Sequence, residues 1–300
     1  MKTLELTIAL LALLHVGTAS AQEPTVKLNV PGFARPLVEK WVQEYSKTAG
    51  DVHFQLSKGA SGNDGERTVS FIATDGRPTV KTVLVGQYAV LPVVNRQSDA
   101  EQLLAGKALN AKKLKSLFFI KDEFADDQRE SKVEKAVHIY SGNSRQSVSR
   151  AFAALFKEEP TQFKGKKISG DDLFLNTALS RDPLGVTINA LPNIFDLQNR
   201  QLRQQLALVP LELDRQGRQV MDGGRLDDII RLLEQQRFDA IPIGKIGIVY
   251  DKRDSGVSAF VQWILTHGVQ YIHEYGLLQL SEKELTASIR LASQQDLAQK

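Results

Sequence analysis

The run Val137-His138-Ile139-Tyr140-Ser141-Gly142-Asn143-Ser144-Arg145-Gln146-Ser147 decides how the rest of this chain is read. Val137 to Tyr140 is a short strand, and the residues after it are small, hydroxylic or amidic. From Val148 the apolar residues fall at Val148, Ala151, Phe152 and Leu155, the i, i+3, i+4, i+7 spacing of one buried helix face. Strand, polar loop and amphipathic helix in that order predict an α/β unit. Any helix start needs a cap, and Ser144 or Ser147 supplies one. The same start leaves backbone N–H groups at the positive end of a helix with Arg145 beside them, a combination that favours an anion. The residues alone leave both readings, cap and ligand site, open.

Toward the amino terminus, Val26 to Val30 reads as a strand that Pro31-Gly32-Phe33-Ala34 breaks. Pro36 suits the first position of a helix that buries Val38, Trp41, Val42 and Tyr45 and ends at Gly50. Val52 to Gln55 alternates as a second strand and runs into Lys58-Gly59-Ala60-Ser61-Gly62-Asn63-Asp64-Gly65, a polar turn rich in glycine. Phe71-Ile72-Ala73 is a short apolar run ending at Thr74-Asp75-Gly76, and Thr82 to Asn95 is a long β-rich stretch. Strand, helix, strand and glycine-rich turn open a wound α/β sheet, in which ligands sit beyond the carboxyl ends of strands.

Toward the carboxyl terminus, Leu109-Asn110 caps a helix with Leu114, Leu117 and Phe118 on one face, and Lys157 to Gly170 reads as a polar connection. Leu173 to Leu179 is a helix, Val186 to Asn189 a strand, Arg215-Gln216-Gly217 a turn, and Leu226 to Gln236 a helix. Val257 to Tyr275 reads as one helix, and the last helix opens on Ser281 and Glu284 at capping-box spacing.

Three hundred residues suit two lobes of ordinary size. A hydrophobic content of 42% and a charged content of 24% are those of a globular protein with a sizeable core. The net charge of +3 and the absence of a dominating basic block argue against nucleic acid as a partner. Lys2, the apolar run Leu6 to Val16 and Ala19-Ser20-Ala21 have the order of a cleavable secretory signal over residues 1–21, so the mature chain is expected to start near Gln22. The chain has no cysteine, which excludes disulfides, thiolate metal sites, a thiol nucleophile and a lipidated N-terminal cysteine. A secretory signal without that anchor points to a soluble protein of a Gram-negative periplasm.

Several segments, taken in order, resemble the phosphate-binding proteins of ABC transporters. They are Ala89-Val90-Leu91-Pro92-Val93-Val94-Asn95, Leu109 through Leu117-Phe118, Asp182 to Ala190, and Phe260 to Tyr271. The resemblance implies an α/β fold of two lobes, the type II periplasmic binding protein architecture, each lobe a wound sheet flanked by helices. Residues 22–94 and 243–300 would form lobe I and residues 95–242 lobe II, closing by a hinge on an anion between them. It also implies a ligand set. Gly32 and Phe33 would give backbone donors, Ser61 a hydroxyl, and Asp75 a carboxylate that accepts a proton from a protonated oxyanion. The opening loop, with Ser144, Arg145 and Ser147, stands where the family has an arginine followed by Ser-Gly-Thr, and here the arginine is displaced. The implied partners are phosphate or a similar oxyanion and an inner-membrane ABC permease, with a monomeric chain, no cofactor and no bond chemistry. The displaced arginine keeps a second reading in play, a periplasmic sensor or interaction module with altered or lost ligand binding.

Enzymatic and metal readings find little in the residues. The turn Gly59-Ala60-Ser61-Gly62-Asn63 lacks the glycine two places after the serine that a nucleophile elbow needs. His267 and His273 are six apart on the predicted terminal helix, not at the i, i+4 spacing of paired ligands, and no nucleotide loop or dinucleotide fingerprint is present.

Overall fold

The computed structural model describes residues 25–48, 52–57, 67–74, 82–120 and 130–294. The expected secretory signal, the glycine-rich turn with Ser61, and Asp75 lie outside the described residues. The chain begins with β1 (Thr25–Asn29), a 3₁₀ turn over Gly32–Ala34, and α1 (Arg35–Tyr45). Pro36 sits in the first turn of α1, where its missing N–H costs nothing, and the helix buries Leu37, Val38, Trp41 and Tyr45. Next come β2 (His53–Leu56), β3 (Thr68–Thr74) and the 13-residue β4 (Val83–Asn95). After them come α2 (Asp99–Leu104), α3 (Ala111–Phe118), α4 (Lys132–Ala136), β5 (His138–Gly142) and α5 (Val148–Leu155). The chain continues through β6 (Lys166–Ile168), α6 (Leu173–Leu179), β7 (Gly185–Ala190), α7 (Leu191–Ile194) and β8 (Leu206–Leu208). It ends with α8 (Arg215–Gly223), α9 (Leu226–Gln235), β9 (Ile243–Val249), α10 (Ser255–Thr266) and α11 (Glu282–Ser293).

The strands lie in the order β2-β1-β3-β9-β4-β7-β5-β6, with β8 also paired to β4. β4 is shared by two half-sheets. Its first part, Val83 to Ala89, runs antiparallel to β9, and its second part, from Val90, runs antiparallel to β7 and β8. Val85 to Val94 are all buried, so this one strand is covered on both faces along most of its length. The chain returns beside the same changeover, where Val90 N donates to the Pro242 carbonyl at 3.0 Å. Within the halves the wound pattern holds: β1 is parallel to β2 and β3, and β5 is parallel to β6 and β7.

Each half-sheet has its own aromatic core. Trp41, Tyr45, Phe54, Phe71, Phe260 and Trp263 meet against the first half. Phe118, Phe119, Phe152, Phe156 and Phe163 meet against the second, and the spacing that predicted α5 places Phe152 at the centre of that cluster.

Three elements differ from the sequence expectation. The terminal helix stops at Thr266, because the Gly268 carbonyl accepts from Trp41 Nε1 at 2.8 Å and a Cβ on Gly268 would lie 2.8 Å from that nitrogen. The chain there passes into 3₁₀ turns. Arg215-Gln216-Gly217 is the first turn of α8 and not a loop, since the Asp214 carboxylate accepts from Gly217 N at 2.7 Å and caps it. The polar connection before Gly170 contains β6, whose single apolar residue is Ile168. No helix among the described residues is long and apolar enough to cross a membrane.

Candidate functional site

The loop that follows β5 places Ser147 as the N-cap of α5, with its hydroxyl accepting from Ser149 N at 3.1 Å. Ser149 Oγ in turn accepts from Gly142 N at 2.8 Å, which fixes the helix start against the strand end. The N-terminus of α5 is not open. Asp172, carried in from the loop between β6 and α6, takes a hydrogen bond from Ser147 Oγ at 2.6 Å and another from Val148 N at 2.8 Å. A carboxylate therefore sits where the positive helix end and a hydroxyl converge.

Asp172 stands at the N-cap position of α6 yet gives that helix no side-chain cap. The neighbouring Asp171 turns to its own helix instead, accepting from Leu173 N at 2.9 Å. A buried amide network locks the backbone at this point. Asn189 Nδ2 donates to the Asp172 carbonyl at 2.8 Å, and Asn193 Nδ2 donates to Asn189 Oδ1 at 2.8 Å. Glycines make room on both sides. A Cβ on Gly142 would overlap Ser147 Oγ and lie 2.6 Å from Asp172 Oδ1, and a Cβ on Gly32 would overlap the Asp171 carboxylate. The strand-to-helix turn of the first half-sheet and the helix start of the second thus face each other across the Asp171-Asp172 pair.

Asp172 is 6% exposed, and burial pushes its carboxyl up to about 6. The hydrogen bonds from Ser147 and Val148 work in the opposite direction, while the charge of Asp171 adds to the rise. Among the described residues the charge acting on it is that of Asp171, and no cation pairs with it. Three more polar atoms at strand ends, Asn29 Oδ1 in the last residue of β1, Ser57 Oγ after β2 and Ser141 Oγ in β5, are buried without a hydrogen-bond partner among the described residues.

The expected site residues separate into those the fold brings to this place and those it does not. Gly32 and Ser147 flank the acid pair. Phe33 is buried against Tyr88, ring centroids 4.7 Å apart, so its side chain is core. Ser144 is half-buried and contributes its carbonyl to Ser147 N, and Arg145 is exposed. Asp171 and Asp172 went unread in the sequence, where two acids before an apolar-faced helix look like that helix's own cap; Asp171 is one.

The sequence matches no family model and no curated protein. Solved structures do match. A putative phosphate ABC transporter substrate-binding protein from Clostridium perfringens, with phosphate bound, aligns with TM-score 0.55 and 11% identity over 86% of this chain and 100% of that one. An ABC-type phosphate transport receptor from Vibrio cholerae aligns with TM-score 0.54 and 10% identity over 85% of this chain and 100% of that one. A possible phosphate binding protein from Planctomyces limnophilus aligns with TM-score 0.51 and 12% identity over 90% of this chain and 97% of that one. With shared half-sheets, wound connections and these likenesses together, the chain has the α/β fold of the phosphate-binding proteins of ABC transporters.

Proposed function

We propose that this chain is a periplasmic solute-binding protein that captures phosphate or a related small oxyanion and delivers it to an inner-membrane ABC permease. One observation carries the ligand class: the start of α5 holds an oxyanion group, the Asp172 carboxylate, through a hydroxyl and a backbone N–H. Phosphate and sulfate present the same acceptor chemistry to those donors. The buried oxygens at the ends of β1, β2 and β5, unpartnered among the described residues, support a polar ligand position beyond the strand ends. In this reading residues 22–94 with 243–300 and residues 95–242 act as two lobes, with β4 and the return into β9 as the paired crossovers. Function is binding with hinge closure, without bond chemistry.

A second reading, a periplasmic sensor or interaction module with altered ligand binding, is favoured by the exposure of Arg145. A guanidinium held in the cleft is the strong bidentate partner of a phosphate oxygen, and this one faces solvent. Calorimetric titration of the mature chain, stripped of ligand, with phosphate, sulfate and other oxyanions separates the two. Saturable heat with at least one oxyanion is expected. Silence with all of them leaves the second reading.

A further inference from the structure

We propose that Asp172 is a tethered occupant of the anion position at the start of α5, a carboxylate that the free chain holds on Ser147 Oγ and Val148 N and that an incoming oxyanion must displace. This rests on the reading that the cleft takes an oxyanion, and it adds what sets the affinity and the selectivity of that site. Four features carry it. The contacts of 2.6 and 2.8 Å are those of a carboxylate seated on a helix N-terminus. Asp172 is not needed at its own helix, where Asp171 supplies the bond to Leu173 N. Gly142 keeps open the space that Asp172 Oδ1 occupies, since a Cβ there would lie 2.6 Å from that oxygen. Finally, the carboxylate is held by neutral donors, and among the described residues the charge acting on it is that of Asp171, of the same sign. These donors serve a free anion equally well.

A competitor built into the chain acts as an intramolecular ligand, whose effective concentration is on the order of millimolar or more. If the site is free in roughly one molecule in a hundred, the apparent affinity of an external anion falls roughly a hundredfold. A dianion also meets repulsion from Asp171 and Asp172 until Asp172 leaves or takes up a proton.

The test is calorimetric titration of wild type, Asp172→Ala and Asp172→Asn with sulfate and with inorganic phosphate. Sulfate keeps its charge between pH 5 and pH 8, so its profile reports the protein. At pH 8 Asp172→Ala is expected to bind at least tenfold tighter than wild type. Asp172→Asn, which keeps the side-chain shape and guards against a folding defect in the alanine variant, is expected to gain in the same direction. Wild-type sulfate affinity should rise as the pH falls toward 5 and approach that of Asp172→Asn, whose own affinity stays flat. Wild-type binding that both variants leave unchanged or weaken overturns the tethered occupant and leaves the receptor reading standing. No heat from any of the three proteins overturns the oxyanion reading and the occupant with it.

Discussion

Two charged residues among the described ones are buried, Asp172 at 6% and Lys245 at 9% exposure, and they are handled in opposite ways. Lys245 lies on β9 in the scaffold. Its ammonium donates to Gln87 Oε1 at 2.7 Å and meets Glu284 Oε1 at 2.6 Å, and Arg237 Nη2 reaches the same Gln87 oxygen at 2.8 Å. Burial works to raise the Glu284 carboxyl, but hydrogen bonds from Lys245 and from the Ser281 hydroxyl and N–H outweigh it and hold it below the ordinary range. Asp172, at the candidate site, has among the described residues no counter-charge, only two neutral donors and an acid beside it. A buried charge that the fold needs is paired, and one left unpaired marks a position built for something other than stability.

The sharpest way to break this contrast is to neutralise each acid in turn, because the two substitutions should move stability in opposite directions. For Asp172 the sign follows from a carboxyl raised from 3.8 to about 6. Between those values the folded chain binds more protons than the unfolded one, so stability falls as the pH rises through that window and stays lower above it. Two units correspond to about 3 kcal/mol, with the positive end of α5 offsetting a part. Asp172→Asn should therefore match wild type near pH 4 and exceed it by up to about 3 kcal/mol at pH 8, read from urea unfolding at the two pH values. Parallel pH profiles for the two proteins would show that Asp172 is not a buried, uncompensated charge.

Next in size is Gly142→Ala. The added methyl would overlap Ser147 Oγ and crowd Asp172 Oδ1, and the two side chains are buried and hydrogen-bonded to each other, so relieving the overlap gives up that bond. Overpacking of this kind costs about 2 kcal/mol. The loss should shrink in the double variant Gly142→Ala with Asp172→Ala, because the crowded carboxylate is then absent, and a strictly additive pair would place the strain elsewhere.

Much of the fold was legible because its signals are local. The capping box of Ser281 and Glu284 and the Asn110 cap appear in the structure at the expected residues, and the buried face of α5 holds Val148, Ala151 and Phe152 as expected, with Leu155 half-buried at its end. The long β-rich stretch is β4, and Ser147 is the cap at the candidate site. What was not legible depends on residues far apart in the chain. Trp41 ends α10 from 227 residues away, and no periodicity in Val257 to Tyr275 announces it. Asp172 is 25 residues beyond Ser147, on a loop entered from an edge strand with one apolar residue, and it ignores the helix it appears to cap. A site whose occupant belongs to another element gives no pattern along the sequence.

On the paired side of the contrast, Glu284→Gln removes the counter-charge of Lys245 and little else. Glutamine preserves the capping box at the start of α11, where Glu284 Oε2 accepts from Ser281 N at 3.1 Å. The ammonium keeps Gln87 but loses its ion pair, and since the Glu284 side chain is 34% exposed the cost is discounted to about 1 kcal/mol. The loss should be present at pH 8 and vanish as the pH falls below the ordinary glutamate range, where wild type loses the same interaction. Thermal unfolding followed from pH 8 down through the depressed range of the Glu284 carboxyl reads this. A gain in stability at pH 8 would mean that the pair costs the fold more than it contributes, and the contrast with Asp172 would collapse.

The smallest effect should come from Gly32→Ala, although its steric overlap is as severe as that at Gly142. The methyl would land on the Asp171 carboxylate, and Asp171 is exposed, so the side chain can swing into solvent. The turn at Gly32 does not use a left-handed backbone, so alanine strains nothing there. A cost of about 0.5 kcal/mol is expected, mainly the bond from Leu173 N to Asp171 that the rotation gives up. The two glycines then differ about fourfold in cost for the same added methyl, because one acid is anchored on α5 and the other is free to leave. Equal losses in chemical unfolding would mean that Asp171 is held as firmly as Asp172, and the anion position would then be shared between both acids instead of belonging to one.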